Sequence, residues 1–146
     1  MQIRQAKYDD KTALVGFNLA MAKETEGREL DIERLTQGVS RLLESPEKGF
    51  YLVADIDGEI VGSLMVTFEW SDWQAKDYYW IQSVYITPSY RRKGIYKQLY
   101  QAVKERAKKA EGAASFRLYV GQDNEGAQHT YQALGMTQSH YLLYEE

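Results

Sequence analysis

The sequence predicts a single α/β domain with a mixed central β-sheet. Apolar runs typical of strands alternate along the chain with apolar stripes at helical spacing. Asp57-Gly58 separates two β-branched runs, which is the strongest short signal for a β-hairpin. With 146 residues, 44% of them hydrophobic, the chain is large enough for one core, and we expect one domain over residues 1–146.

The first part of the chain is predicted to form four strands and two helices. Asp9 or Asp10 is expected to cap the first helix, and Asp31 the second, which ends at Ser45-Pro46. Glu69–Asp77 has the composition of a polar loop. The predicted strands are Gln2–Ala6, Phe50–Ile56, Glu59–Phe68 and Tyr78–Ile86.

The rest of the chain is predicted to form two helices and two strands. Gly135 lies where a C-terminal helix cap belongs. The complete order is β-α-α-β-β-β-α-β-α-β, which is an α/β layout. The predicted elements are a helix from Gly94 to about Ala110, a strand at Ser115–Val120, a helix from Asp123 or Asn124 to Leu134, and a strand at Ser139–Tyr144.

Composition excludes several classes of site. The chain has no cysteine, which excludes disulfides, thiolate metal sites and a cysteine nucleophile. His129 and His140 could hold zinc only if carboxylates completed the site. No apolar stretch is long enough to span a membrane, and the N-terminus lacks the features of a signal peptide. We therefore expect a cytoplasmic protein with neither a metal nor a membrane partner.

Charge is distributed unevenly along the chain. Residues 1–80 contain 9 Lys/Arg and 15 Asp/Glu, a net charge of −6. Residues 81–146 contain 9 Lys/Arg and 6 Asp/Glu, a net charge of +3. A basic segment in an acidic protein favours a local polyanion over long-range attraction to DNA. No helix-turn-helix or zinc pattern accompanies the cations, and no phosphate-binding G-x-x-x-x-G-K motif is present, so no nucleic-acid partner is expected.

The stretch from Ser83 to Tyr96 carries the strongest functional signal. It contains a strand, a turn with three cations and a glycine, and the start of a long helix. Unpaired N–H groups and the helix dipole make such a helix start an anion site, and diphosphate is the ligand that suits it best. The alternative is a strand-to-helix turn whose charges are merely solvated.

Two motifs resemble those of the GCN5-related N-acetyltransferase (GNAT) superfamily. Arg91-Arg92-Lys93-Gly94-Ile95-Tyr96 is similar to its acyl-coenzyme A loop, Gln/Arg-x-x-Gly-x-Gly/Ala, with Tyr96 in place of the usual small residue. Asn124-x-x-Ala127-x-x-x-Tyr131-x-x-x-Gly135-Met136 is similar to its late helix and following strand. The resemblance implies a mixed, mostly antiparallel sheet of six to seven strands with about four helices. It also implies acetyl-CoA as acyl donor and, commonly, a homodimer.

The resemblance also implies where the coenzyme binds. The pantetheine arm would lie along Val84, Tyr85 and Ile86, with a backbone N–H near Val84 facing the thioester carbonyl. The diphosphate would lie on the loop formed by Arg91, Arg92, Lys93, Gly94, Ile95 and Tyr96, with Lys97 as a further candidate. Tyr96 would either point its ring away from the ligand or shift it. Asn124 would bond the pantetheine arm, cap its helix, or do both.

Acetyl transfer to an amine also needs an acid and a base. Tyr131 is the candidate acid for the leaving thiolate, although Ala127, Tyr131 and Leu134 also form an ordinary core stripe. Glu69 is the first candidate base; Glu24, Glu26 or a water relay are alternatives. The acidic first half favours a cationic acceptor such as a polyamine, an aminoglycoside or a protein amine. We assign Trp73 and Gln82, with Glu24 and Glu26, to the acceptor side.

The sequence therefore predicts an N-acetyltransferase in which the amine attacks acetyl-CoA directly, without a covalent enzyme intermediate. The alternative is a sensor or partner module that binds acyl-CoA and transfers nothing.

Overall fold

The computed structural model describes residues 1–146 and has an α/β fold with one mixed sheet of five strands. The strands lie in the order β1-β2-β3-β4-β5; neighbouring pairs are antiparallel except for the parallel pair of β4 and β5. Four α-helices accompany the sheet. The elements are β1 Gln2–Gln5, α1 Lys11–Glu26, α2 Ile32–Leu43, β2 Gly49–Ile56, β3 Glu59–Ser71, β4 Lys76–Ile86, α3 Ile95–Lys109, β5 Ser115–Leu118 and α4 Glu125–Ala133.

Two hydrophobic clusters cover opposite faces of the sheet. The main cluster packs α3 against one face, through residues such as Leu64, Ile81 and Leu99. The second packs α1 and α2 against the other face around Leu14 and Val39, with Tyr51 and Val53 from β2. None of the helices combines the length and the apolar character needed to cross a membrane.

The prediction of six to seven strands is wrong, because the sheet has five. Ser139–Tyr144, which we expected to be the last strand, belongs to no helix or strand, and the large side chains of Tyr141–Tyr144 are exposed. A strand needs a neighbour for its backbone hydrogen bonds. This segment has no such neighbour within its own chain.

The predicted loop Glu69–Asp77 is also wrong. β3 continues to Ser71 and β4 begins at Lys76, so only four residues form the turn. Glu69 lies opposite Tyr78 in the ladder, and Thr67 opposite Trp80. Aromatic and β-branched side chains favour cross-strand pairing, and here they extend the hairpin through a segment of polar composition.

The two predicted N-caps differ. Asp31 caps α2, since its carboxylate accepts hydrogen bonds from the N–H groups of Glu33 and Arg34. Asp10 precedes α1 without capping it. Its carboxylate instead accepts hydrogen bonds from the Arg4 side chain at 2.8 Å and from the Lys7 N–H at 2.7 Å. The Arg4 guanidinium lowers the pKa of Asp10, so this ion pair anchors β1 to the start of α1.

Candidate active site

The sheet has a gap beside β4 beyond the end of β5, which we call the cleft. The two strands pair at only four positions, from Tyr78 opposite Ser115 to Ile81 opposite Leu118. β4 continues for five further residues, to Ile86, after β5 has ended. The edge Gln82–Ile86 of β4 therefore has no neighbouring strand on this side, and an extended ligand could hydrogen-bond to it as a strand would.

A β-bulge lies where β4 leaves β5. Ser63 is opposite Tyr85 and Met65 is opposite Gln82, so Ser83 and Val84 together face Leu64. Ser83 has a φ of +53°, in the left-handed region. A bulge of this kind re-aims backbone groups and side chains. Sequence reasoning missed it, because serine is not a residue typical of that conformation.

The loop between β4 and α3 presents a row of unpaired hydrogen-bond donors. Arg92 and Gly94 have φ values of +62° and +77°. The backbone N–H groups of Arg92–Lys97 donate to no acceptor within the protein, and Gln98 is the first to do so, to the Gly94 carbonyl at 3.2 Å. Consecutive free N–H groups at the start of a long helix attract an anion. The predicted diphosphate loop thus has the geometry of an anion site.

The loop cations have different surroundings. The Arg91 Nε donates to the Ile86 carbonyl at 2.8 Å, and its terminal nitrogen pairs with Glu24 at 2.8 Å. The Lys93 ammonium lies 5.2 Å from the centre of the Tyr90 ring. Arg92 forms no ion pair. Arg91 therefore ties the loop to the protein, whereas the charge of Arg92 remains available to a ligand.

Glu24 joins the end of α1 to the end of β4. One carboxylate oxygen pairs with Arg91, and the other accepts a hydrogen bond from the Tyr85 hydroxyl at 3.1 Å. The hydrogen bond from Arg91 lowers the pKa of Glu24. The pKa of Tyr85 is raised, chiefly by burial and to a smaller extent by its hydrogen bond to Glu24. The Phe17 ring lies 5.2 Å from the Tyr85 ring, so α1 also packs on this part of β4.

Tyr131 lies against the first turn of α3. Its ring centre is 5.7 Å from that of Tyr96, which in turn lies parallel to Tyr100 at 6.2 Å. Tyr96 packs against the main core, and its hydroxyl is buried without a hydrogen-bond partner. Burial raises the pKa of both Tyr96 and Tyr131. The Tyr96 ring is therefore directed into the core and away from the loop.

Asn124 caps α4, because its side-chain oxygen accepts a hydrogen bond from the Ala127 N–H at 3.1 Å. At the other end of α4, the Gly135 N–H donates to the backbone carbonyl of Gln132 and the Met136 N–H to the backbone carbonyl of Tyr131, which is a Schellman motif. Gly135 has a φ of +93°, as the predicted cap requires. These two ends fix the rotation of α4 and hence the placement of Tyr131.

Glu69 does not lie near Val84. It is opposite Tyr78, six positions before Val84, which corresponds to about 20 Å along the strand. One of its oxygens accepts hydrogen bonds from the Trp80 indole at 2.8 Å and from Arg117 at 3.4 Å. The strand does not end at Glu69, as expected, but continues to Ser71, and the Glu69 carboxylate lies beside Trp80 of β4 and Arg117 of β5.

The other predicted acceptor-side residues are also dispersed. Trp73 lies in the hairpin turn with 94% of its surface exposed, about 30 Å along β4 from Ile86. The carboxylate of Glu26 is exposed and lies 4.0 Å from Arg28. The Gln82 amide donates to the Thr67 hydroxyl at 2.6 Å, at the point where the cleft begins. Of these residues, only Gln82 borders the cleft.

A family model and a similar solved structure both point to acetyltransferases. The model for the acetyltransferase (GNAT) family matches residues 6–136. A possible acetyltransferase from Clostridium difficile 630 is 43% identical, with a TM-score of 0.93 over 99% of this chain and 95% of that chain. A search of curated protein sequences finds no match.

Two further solved structures are similar over nearly the whole chain. A transcriptional regulator from Bacillus halodurans C-125 is 28% identical, with a TM-score of 0.80 over 99% of this chain and 98% of that chain. A predicted acetyltransferase with acetyl-CoA from Clostridium acetobutylicum is 18% identical, with a TM-score of 0.82 over 99% of this chain and 95% of that chain.

Proposed function

The chain belongs to the acetyltransferase (GNAT) family, and from this premise we propose that it transfers the acetyl group of acetyl-CoA to a primary amine. The observation that carries the proposal is the row of unpaired N–H groups at Arg92–Lys97. A diphosphate supplies the acceptor oxygens that these donors need, and Arg92 and Lys93 add charge. The related fold solved with acetyl-CoA supports the same ligand.

In this proposal, the free edge of β4 holds the acyl end of the coenzyme. Val84, Tyr85 and Ile86 bond the pantetheine arm as an added strand, and Asn124 bonds it from α4. The bulge at Ser83–Val84 directs a backbone N–H at the thioester carbonyl. That N–H stabilises the negative charge that builds on the carbonyl oxygen when the amine attacks.

Tyr131 is the proposed acid. The amine nitrogen bonds to the carbonyl carbon, the carbon–sulfur bond breaks, and the departing thiolate takes the phenolic proton. The nitrogen gives up its extra proton to water, and water returns a proton to the phenolate. Burial raises the pKa of Tyr131 above its ordinary value of about 10, so the phenol is protonated at neutral pH. Its contact with Tyr96, in the first turn of α3 after the loop, supports this role.

The acceptor side is proposed to attract cations. Residues 1–80 carry a net charge of −6, and Glu24 lies at the end of β4. Because the pKa of Glu24 is lowered, its carboxylate suits the orientation of a cationic amine better than the removal of a proton. We propose that water relays the ammonium proton away and that the acceptor is a polyamine, an aminoglycoside or a protein amine.

The test compares Tyr131→Phe with Tyr8→Phe, an exposed tyrosine at the other end of the chain. Calorimetry measures acetyl-CoA binding, and release of free thiol measures transfer to a panel of amines. Tyr131→Phe should keep the acetyl-CoA affinity and lower kcat by about 10²–10⁴-fold, as loss of a general acid does. An unchanged kcat would remove Tyr131 from the mechanism, and absence of acetyl-CoA binding in the wild type would refute the proposal.

A sensor that binds acetyl-CoA without transferring its acyl group is the second candidate. The similarity to a solved transcriptional regulator favours it. Acetyl-CoA binding without transfer to any amine of the panel would support the sensor, whereas transfer to any of them at catalytic rates would exclude it.

A further inference from the structure

The Tyr96 hydroxyl is the one buried side-chain polar atom that lacks a hydrogen-bond partner. A phenylalanine at this position would make the same ring contacts without an unpaired oxygen. Native proteins leave few such groups unpaired, and each of them calls for an explanation. One explanation is a partner that needs the hydrogen bond only during the reaction. The motif that Arg91–Tyr96 resembles has a small residue at this position, so the hydroxyl is a feature of this chain.

Tyr96 lies in the first turn of α3, where its ring contacts two other tyrosine rings. The centres of the Tyr96 and Tyr131 rings are 5.7 Å apart and the planes are inclined at 63°, which is an edge-to-face arrangement. The Tyr100 ring lies parallel to the Tyr96 ring at 6.2 Å. The Tyr96 side chain also packs against the main core. The ring is therefore held firmly, and the tyrosine that it meets on α4 is the proposed acid.

The reaction changes what the Tyr131 oxygen requires. Before transfer the phenol is neutral. After the thiolate has taken its proton, the oxygen carries a negative charge, and burial disfavours that charge, which is why the pKa of Tyr131 is raised. A hydrogen bond from a neutral donor offsets this cost. Hydrogen bonds to a charged oxygen are roughly twice as strong as those between neutral groups.

We propose that Tyr96 is a positioning residue for the acid, and that its hydroxyl donates a hydrogen bond to the Tyr131 oxygen once that oxygen has lost its proton. The inference rests on the proposed function, in which Tyr131 protonates the leaving thiolate. The O–H bond of Tyr96 stays intact throughout, and water returns the proton to Tyr131. Hydrogen bonds of catalytic groups are often long or poorly aligned in the free protein and tighten in the reacting complex.

The surroundings of Tyr96 keep its hydroxyl protonated. Burial raises its pKa, and a negative charge on Tyr131 or Tyr100 raises it further. The charged group that contacts this row of rings is Lys104, whose ammonium lies 4.8 Å from the centre of the Tyr100 ring. Lys104 is about two turns further along α3 than Tyr96. Tyr96 is therefore the donor of the row that adjoins Tyr131, and it remains a donor when Tyr131 is ionised.

Steady-state kinetics of Tyr96→Phe, Tyr131→Phe and the double variant test the proposal. Tyr96→Phe should lower kcat by about 10–100-fold, as loss of a hydrogen bond to a charged group does, and leave the KM for acetyl-CoA unchanged. The double variant should have the kcat of Tyr131→Phe, because no phenolate forms in either. The matched control, Tyr100→Phe, alters the other ring beside Tyr96 and should keep the wild-type kcat. An unchanged kcat in Tyr96→Phe, or a further loss in the double variant, would overturn the proposal.

A spectroscopic measurement tests the hydrogen bond without any acetyl transfer. Difluorotyrosine is incorporated at position 131, because its phenol is more acidic than that of tyrosine, and ¹⁹F NMR follows its ionisation in the presence of coenzyme A. Tyr96→Phe should raise the pKa of this phenol by about 1–2 pH units, which corresponds to the same 10–100-fold change, and Tyr100→Phe should not shift it. Equal pKa values in all three proteins would overturn the proposal. A rise in Tyr96→Phe without transfer to any amine would support the hydrogen bond and refute the proposed function.

Discussion

The buried hydroxyl of Tyr96 permits a prediction with a definite sign. This hydroxyl has no hydrogen-bond partner, while the ring packs against Tyr100 and Tyr131. Tyr96→Phe keeps the ring and removes only the polar atom. The substitution should therefore stabilise the protein, although most substitutions at buried positions destabilise.

The magnitude follows from the cost of an unpaired polar group. Burying a donor without a partner costs about 1–3 kcal/mol, so Tyr96→Phe should raise the free energy of unfolding by about that amount. For a chain of this length, Tm should rise by about 2–4 °C for each kcal/mol. Acetyl-CoA affinity should not change, because the ring faces the core and not the loop.

The assay is urea unfolding of the wild type, Tyr96→Phe and a matched control, Tyr85→Phe. Tyr85 is also a buried tyrosine, but its hydroxyl donates to Glu24 at 3.1 Å. Removing a paired hydroxyl should destabilise by about 0.5–1.5 kcal/mol. A loss of stability in Tyr96→Phe would show that its hydroxyl has a partner and would refute the reasoning.

Three further predictions concern the loop, acid stability and the acid. Gly94→Ala should lower the free energy of unfolding by about 1–2 kcal/mol, because of the positive φ at this position, and should also weaken acetyl-CoA binding. The control, Gly27→Ala, has a φ of +61° in the α1 cap and should lower stability alone. Equal acetyl-CoA affinity in the two variants would contradict the loop assignment. Because the pKa of Asp10 is lowered in the folded state, its carboxylate adds stability that is present above about pH 4 and is lost as pH falls through the folded-state pKa. When the free energy of unfolding in urea is plotted against pH, Asp10→Asn should therefore show a smaller decline at acidic pH than the wild type. An unchanged decline would contradict this. Because the pKa of Tyr131 is raised, kcat should show no alkaline decline from this group below about pH 10, and a decline centred well below that value would exclude Tyr131 as the acid.

Local signals in the sequence predicted much of the fold. Asp57-Gly58 forms the expected hairpin turn, with φ values of +50° and +89°, the pair that a type I′ turn requires. Asp31 caps the N-terminus of α2, and Gly135 lies at the C-terminal cap of α4, as predicted. The spacing in the two motifs identified the loop at Arg91–Tyr96 and the helix that carries Tyr131. In each case the information lies within a few residues, so no tertiary contact has to be known.

Features that depend on distant partners were not predictable. The hairpin of β3 and β4 is longer than expected because residues on the two strands support each other, and Glu69 therefore lies within the ladder, opposite Tyr78. The bulge at Ser83 exists because β4 has one more residue than β3 between two paired positions, and the sequence of either strand alone does not show this. Ser139–Tyr144 has strand-like residues without a partner strand in its own chain. The ion pair of Arg91 with Glu24 joins residues 67 positions apart.

The most direct measurement of the central claim is the backbone amide spectrum of the ¹⁵N-labelled protein during titration with coenzyme A, compared with pantetheine, which lacks the diphosphate. If the N–H groups of Arg92–Lys97 bind the diphosphate, their resonances should shift with coenzyme A and remain in place with pantetheine. Coenzyme A that binds while these six resonances do not move would contradict the account.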